Sequence, residues 1–358
     1  MTPKTISRIR IAVHLFSALM LTTLLLYLVN NYLVYGQGLP GFYGMLEHYG
    51  LFDPDEAGGL DAEQLAAGWK QMAAYGFVYL LALFHVWRQR DLPLRDLSSR
   101  LQAISAYFVR GAFWAVLLIG LADMIISMLR IEGFLGDLVG EEMLLQLGRP
   151  TFRGYAVHYP LLVLGYVIAL IWRNISFAWL SLLVVLAEFA IVITRFVFSY
   201  EQAYMGDLVR FWYAALFLFA SAYTLVHEGH VRVDVFYANF SRVKKAWTNI
   251  FGSLFLGIPL CWVILTEGMG GRGNSITGPF LTFEISQSAY GMYVKYLMAG
   301  FLVVFAASMM VQFLSYLALN IARLVDPRPE DETELEGVHH PVEVGDAPHA
   351  VLPDEPAR

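Results

Sequence analysis

Eight apolar runs follow one another along this chain, at roughly residues 11–29, 69–87, 111–129, 155–172, 177–198, 208–226, 250–265 and 293–319. A helix of about 20 apolar residues crosses a hydrocarbon core of about 30 Å. Backbone polar groups in lipid must be satisfied within the chain, so such runs fold as helices. The expected fold is therefore all-α, a polytopic membrane bundle of about eight transmembrane helices. Composition agrees, with 58% hydrophobic residues, 15% charged and a mean hydropathy of +0.55. Those values exclude a soluble enzyme class, and no basic surface suggests nucleic acid.

Local features refine the spans. Only a few residues separate the fourth run from the fifth, which predicts a tight antiparallel hairpin. Gly257 and Pro259 predict a kink in the seventh, because proline removes a helical donor. The last run is long enough to tilt or protrude. Lys4, Arg8 and Arg10 precede the first run, and Asn30-Asn31-Tyr32 follows it where a signal peptide would carry small residues, so a retained span is expected. With the N-terminus inside, fourteen Lys and Arg fall on cytoplasmic segments and eight on the opposite side. That bias predicts an N-in, C-in topology. Residues 326–358 hold six prolines and ten of the thirty acidic residues, a composition expected to stay disordered. His339, His340 and His349 lie scattered on that tail and are not expected to bind a metal.

Ionisable side chains inside spans are the first candidates for function. Asp123 in the third run and Glu188 in the fifth stand out. They could relay protons or coordinate a coupling cation in an independent secondary transporter, or pair structurally with groups such as Arg110 and Arg195. Two isolated carboxylates make no cation cage, and the structural reading weighs more. His14, His85, His158 and His227 lie in or at the ends of runs, which raises a membrane anchor of a haem or quinone complex as a third class. Nothing else supports a cofactor, and none is expected. The lone Cys261 sits in an apolar run, so no disulfide is possible within the chain. Gly268–Gly273 lacks the context of a phosphate loop and reads as a turn. No catalytic triad or paired carboxylate is visible, so the chain is not expected to be an enzyme.

The most distinctive stretch is Val226–Trp247, VHEGHVRVDVFYANFSRVKKAW. It packs Glu228, Gly229, His230, Arg232 and Asp234 close together at the end of the sixth run. Phe236, Phe240, Val243 and Trp247 then fall at i, i+4, i+7 and i+11, one helical stripe, with Arg242, Lys244 and Lys245 pointing elsewhere. Such a helix can lie in the headgroup plane with its cations toward anionic lipid. A positively charged loop that merely orients two spans is the alternative.

TRFVF at Thr194–Phe198, Asp207 ahead of VRFWYAALFLFASAYTL, then HEGHVRVDVFY and SRVKKAW follow in an order that resembles a known family. It is the small permease (DctQ-type) subunit of tripartite ATP-independent periplasmic (TRAP) transporters, and the likeness is strongest to the branch labelled for mannitol or chloroaromatic compounds. The resemblance covers about Phe177–Val325. It implies a four-span core at 174–325, a four-span N-terminal extension at 1–173 and a cytoplasmic tail at 326–358. It further implies a bacterial inner-membrane protein that partners a large permease (DctM-type) subunit and a periplasmic solute-binding protein. Transport of organic acids or related solutes would be coupled to sodium in the large subunit, with this chain as scaffold. Arg195, Glu228, Gly229, His230, Arg232 and Asp234 would then be partner-binding or structural residues. Phe236, Phe240, Val243, Lys244, Lys245 and Trp247 would anchor the scaffold at the membrane surface.

Overall fold

The computed structural model describes residues 2–51, 58–173, 177–226, 237, 239–286 and 291–328. Among the described residues the secondary structure is helical, without strands. α1 (Pro3–Asn31) starts behind Thr2, whose hydroxyl accepts from the Thr5 N–H, with proline at the first helical position. The short α2 (Gly41–His48) follows, and α3 (Ala62–Arg88) opens on a reciprocal capping box between Asp61 and Gln64.

α3 runs back along α1. Arg10 and His14 donate to the carbonyls of Asp91 and Leu92, Thr23 meets Tyr79 at 2.9 Å, and Tyr75 donates to Asn30 at 3.1 Å. From the segment just after α3 at Asp91 and Leu92 to Tyr79 and Tyr75 within it, the contacts run back as they climb α1, so the two helices are antiparallel over the same depth.

Seven helical stretches among the described residues are long and apolar enough to cross a membrane: Pro3–Gly36, Leu94–Ile131, Pro150–Ile171, Ala178–Phe198, Ala203–Ala222, Arg242–Met269 and Lys295–Val325. The chain is a multi-pass membrane protein. The remaining expected span, residues 69–87, lies in α3, where Lys70, Gln71 and His85 dilute the hydropathy. Its pairing with α1 still seats it in the bundle. Arg95 donates to the Asp326 carbonyl, so the start of α1, the α3–α4 junction and the end of the last helix share one end of the molecule.

α4 (Leu94–Ile131) is the axis of the bundle, at 38 residues about 57 Å long. Its first four turns, which lie ahead of the expected run at 111–129, are helical. Leu94, Ser98, Leu101 and Ser105 recur on one buried face there. That face packs antiparallel against α14 (Lys295–Val325). Ser98 and Ser315 hydroxyls meet at 2.9 Å, and Ser105 donates to the Ser308 carbonyl at 3.1 Å. On its other side α4 receives α8 (Tyr159–Ile171). A Cβ added at Gly165 would stand 2.4 Å from the Ala115 backbone nitrogen, so only glycine permits this approach. Between α4 and α8 the chain makes three short helices, α5 (Phe134–Val139), α6 (Glu141–Leu147) and α7 (Pro150–Arg153).

α9 (Phe177–Phe198) packs along α10 (Ala203–Val226), not as the expected hairpin with α8. The reason is that the small-residue face of α8, Gly165 and Ala169, is already spent on α4. α10 joins the core against α4 and α14, with Phe211 and Phe219 on the Phe301 ring.

α11 (Arg242–Phe251) continues without a break through a π-helical turn, Gly252–Gly257, into α12 (Ile258–Met269). This corrects one expectation. Residues 242–247 form the first turns of a 28-residue membrane-length helix and not a separate helix in the membrane plane. No residue between Arg242 and Phe251 breaks a helix, and the Asn249 amide donates to Asn320, holding α11 against α14. A π turn stands just before Pro259, where the wider backbone helps to accommodate the missing N–H. A second π turn, Gly154–His158, precedes Pro160 in the same way. α13 (Thr277–Thr282) closes the fold before α14.

Candidate functional site

The buried polar centre of the bundle lies where the chain enters α14. Residues 291–294 are non-helical yet buried, and their N–H groups need acceptors. Two carboxylates from different helices supply them. Asp207 of α10 accepts from the Met292 N–H at 3.0 Å, and Asp123 of α4 accepts from the Tyr293 N–H at 2.7 Å. Negative charge at this position also suits the positive end of the helix that follows.

Asp123 is fully buried. Its second oxygen accepts from Arg153 Nη1 at 2.9 Å and His158 Nε2 at 3.1 Å. Arg153 and His158 are five residues apart, about 140° around an ideal α-helix. The π turn between them closes i to i+5 and brings both onto one carboxylate oxygen. Arg153, itself fully buried, also donates to the Leu147 carbonyl and Ser127, and its guanidinium lies 4.0 Å from the Tyr293 ring centroid. The ring face takes up charge that Nη2, buried without a hydrogen-bond partner, does not share by hydrogen bonding. His158 Nε2–H donates to Asp123, and its Nδ1 hydrogen-bonds with the Tyr296 hydroxyl at 2.8 Å. The Tyr293 hydroxyl accepts from Arg130 at 2.6 Å and donates to the Gly148 carbonyl.

Apart from Arg153 Nη2, the donors and acceptors named around Asp123 are thus committed to holding α4, the α7–α8 junction and the α14 entry together. Chemically this is a clasp. Among the described residues no group of three or more His, Cys, Asp and Glu is placed to hold a metal ion.

The other carboxylate singled out from sequence, Glu188, lies elsewhere. It is exposed on the outer surface of α9, so the two do not converge into one site. Arg195 pairs with Glu201 at 3.3 Å and not with Glu188. His14 is buried and donates to the Leu92 carbonyl, His85 is exposed and His158 belongs to the clasp. His227, Glu228, Gly229, His230, Arg232, Asp234 and Phe236 lie outside the described residues, as does the tail from residue 329.

The expected surface stripe divides. Val243 and Trp247 are exposed, and with Phe251 and Phe255 they continue an outward apolar line along α11 and the π turn. Phe240 is half-buried and Lys244 exposed. Lys245, expected to face headgroups, is buried, its ammonium 5.6 Å from the Tyr237 ring centroid. Its position follows from α11 standing against α14 instead of lying in the plane of the membrane.

A cavity of about 390 Å³ opens between α1, α4, α8 and α14, lined by residues such as Leu28, Ala112, Val116, Leu162, Phe301 and Val304. Asn31, Tyr32, Tyr35, Tyr166 and Thr277 are its polar lining residues, and no charged residue lines it. Such walls suit hydrocarbon. An organic anion would lose its hydration there without compensation.

The sequence pointed to His158 only as a span-end histidine and did not single out Arg153. Depth matching would have joined them to Asp123: it lies eight residues from the end of α4, and they lie at the start of the next antiparallel span. Asp207 gave no such signal, because its partner is a backbone N–H.

Residues 182–323 match the family model described as tripartite ATP-independent periplasmic transporters, DctQ component. The match covers less than half of the 358-residue chain, running from within α9 into α14. No curated protein and no solved structure matches the chain.

Proposed function

We propose that this chain is the small membrane subunit of a sodium-coupled, binding-protein-dependent TRAP transporter for organic acids or related solutes, of the mannitol or chloroaromatic type. In this reading it is a non-enzymatic scaffold in the bacterial inner membrane, with its N- and C-termini cytoplasmic. A large DctM-type permease carries substrate and sodium, and a periplasmic solute-binding protein delivers the solute. The observation that carries the reading is the DctQ match over residues 182–323. Two features of the bundle support a fixed role. The interior carboxylates Asp123 and Asp207 are tied to the backbone entering α14, and the open cavity has no charge with which to hold an acid.

The test is affinity purification of the chain from its native membranes in mild detergent, followed by uptake in proteoliposomes. Stoichiometric recovery of a large hydrophobic permease, with uptake that needs both chains and the binding protein, is the expected outcome. Uptake by this chain alone would overturn the reading and return Asp123 and Glu188 to the centre of an independent carrier. Within the complex, Arg232→Ala or Asp234→Ala is expected to lower assembly yield more than it shifts sodium dependence. Normal yield with a shifted sodium dependence would contradict that assignment.

A further inference from the structure

The inward stripe of α9 is Leu180, Val184, Ala187 and Ile191, at i, i+4, i+7 and i+11, which packs toward α10 and the core. Most of the remaining circumference is uncovered: Trp179, Val185, Leu186, Phe189, Val192 and Phe196 are all exposed. Glu188 sits in the middle of this uncovered surface, the twelfth residue of a 22-residue helix. Ten or more residues separate it from either helix end, about 15 Å. A glutamate side chain cannot bridge that distance to water. No ion pair or hydrogen bond within the described residues satisfies its carboxyl group; the nearest cation along the helix face, Arg195, is taken by Glu201.

A carboxylate at mid-span against lipid is costly, and intramembrane acids pair with cations or polar groups on neighbouring helices. Acyl chains provide neither. A second copy of this chain does not fit, since a two-fold interface through α9 would bring Glu188 against its own mate, like charge on like. We infer that the outer face of α9 is the docking surface for a transmembrane helix of the large permease that presents a Lys or Arg at mid-depth to Glu188. The inference rests on the function proposed above and adds to it the face, the central residue and the charge of the partner helix. The surrounding Val185, Phe189 and Val192 supply an apolar rim that shields the pair from lipid.

The experiment compares the full-length wild type, Glu188→Gln and Glu188→Lys by affinity purification from native membranes, with a photoreactive residue placed at Val192 in parallel. The wild type is expected to bring down the permease. Glu188→Lys is expected to reduce its recovery about a hundredfold, because like charges facing each other in an interface are strongly repulsive. Glu188→Gln, which keeps hydrogen-bonding capacity, should lose about tenfold or less. The gel-filtration profile and melting temperature of each variant purified alone should match the wild type, since Glu188 is exposed and makes no hydrogen bond or ion pair among the described residues. Val192 should crosslink to the permease. If the wild type recovers the permease and Glu188→Lys recovers it equally, the docking face is wrong while the functional reading stands. Crosslinking of Val192 only to lipid, or to a second copy of the chain, also overturns the face. If the wild type itself recovers no permease, the functional reading falls and this inference with it.

Discussion

Asp123 and Glu188 look alike in the sequence, each a single acid within an apolar run, yet the bundle places them in opposite settings. Asp123 is fully buried and accepts from an arginine, a histidine and a backbone N–H. Glu188 is exposed on α9, which packs chiefly against α10. The difference teaches that an acid within a span is read by whether the chain itself supplies its partners. Asp123 is complete within this chain, whereas Glu188 is incomplete without another one. A second contrast runs parallel to it. The half outside the family match is not an appendage, because α4 packs on α14 and α10, and its Asp123 holds the residue next to the one held by Asp207.

The sharpest way to break this contrast is to remove both acids in turn. Asp123→Ala leaves Arg153 buried without its counter-ion and the Tyr293 N–H without an acceptor, and breaking a buried pair typically costs about 3–5 kcal/mol. The expected result is loss of monodisperse protein or a large fall in melting temperature. Glu188→Ala in the isolated chain should change neither. Equal effects from the two would end the distinction. The double substitution Asp123→Leu with Arg153→Met sharpens it further: replacing the whole pair by apolar groups should recover part of the loss, because buried ion pairs pay heavily in desolvation.

A smaller effect is expected at Asp207, which is less enclosed and has the exposed Arg210 3.5 Å away. Asp207→Asn retains an acceptor for the Met292 N–H but loses the charge on it, a difference of about 1 kcal/mol. Thermal unfolding in detergent measures it. A cost as large as that of Asp123→Ala would mean that the matched half, and not the junction between halves, carries the clasp.

Much of the fold was legible because lipid imposes a simple rule, and seven of the eight expected runs are helices of membrane length and hydropathy. What escaped the sequence follows from packing. The start of α4 went unread because the apolar run begins only at residue 111, and the buried face of Leu94, Ser98, Leu101 and Ser105 alternates with charged residues such as Arg95 and Arg100. Lys244 and Lys245 suggested a helix in the plane of the membrane, but the absence of a breaker before Gly252 lets α11 run straight into the span, burying Lys245. The clasp was hidden for a different reason: it depends on a π turn that places Arg153 and His158 together, and α-helical periodicity separates them.

The seam between α4 and α14 offers the finest test of how the two halves are joined. At one end stands the charged clasp at Asp123; further along, Ser315 donates to the Ser98 carbonyl at 2.8 Å and the two hydroxyls meet. Neutral hydrogen bonds between membrane helices contribute about 0.6 kcal/mol on average, because the separated helices find other partners for the same groups. Ser315→Ala should therefore lower stability by about that amount, with the small alanine preserving the close approach of the helices. Measured against Asp123→Ala on the same helix pair, the ratio decides what joins the halves. A small cost at Ser315 beside a large one at Asp123 means that the halves are locked at the α14 entry and merely packed along the seam. Comparable costs would mean that the joint is distributed, and that α4 belongs to the core along its whole length.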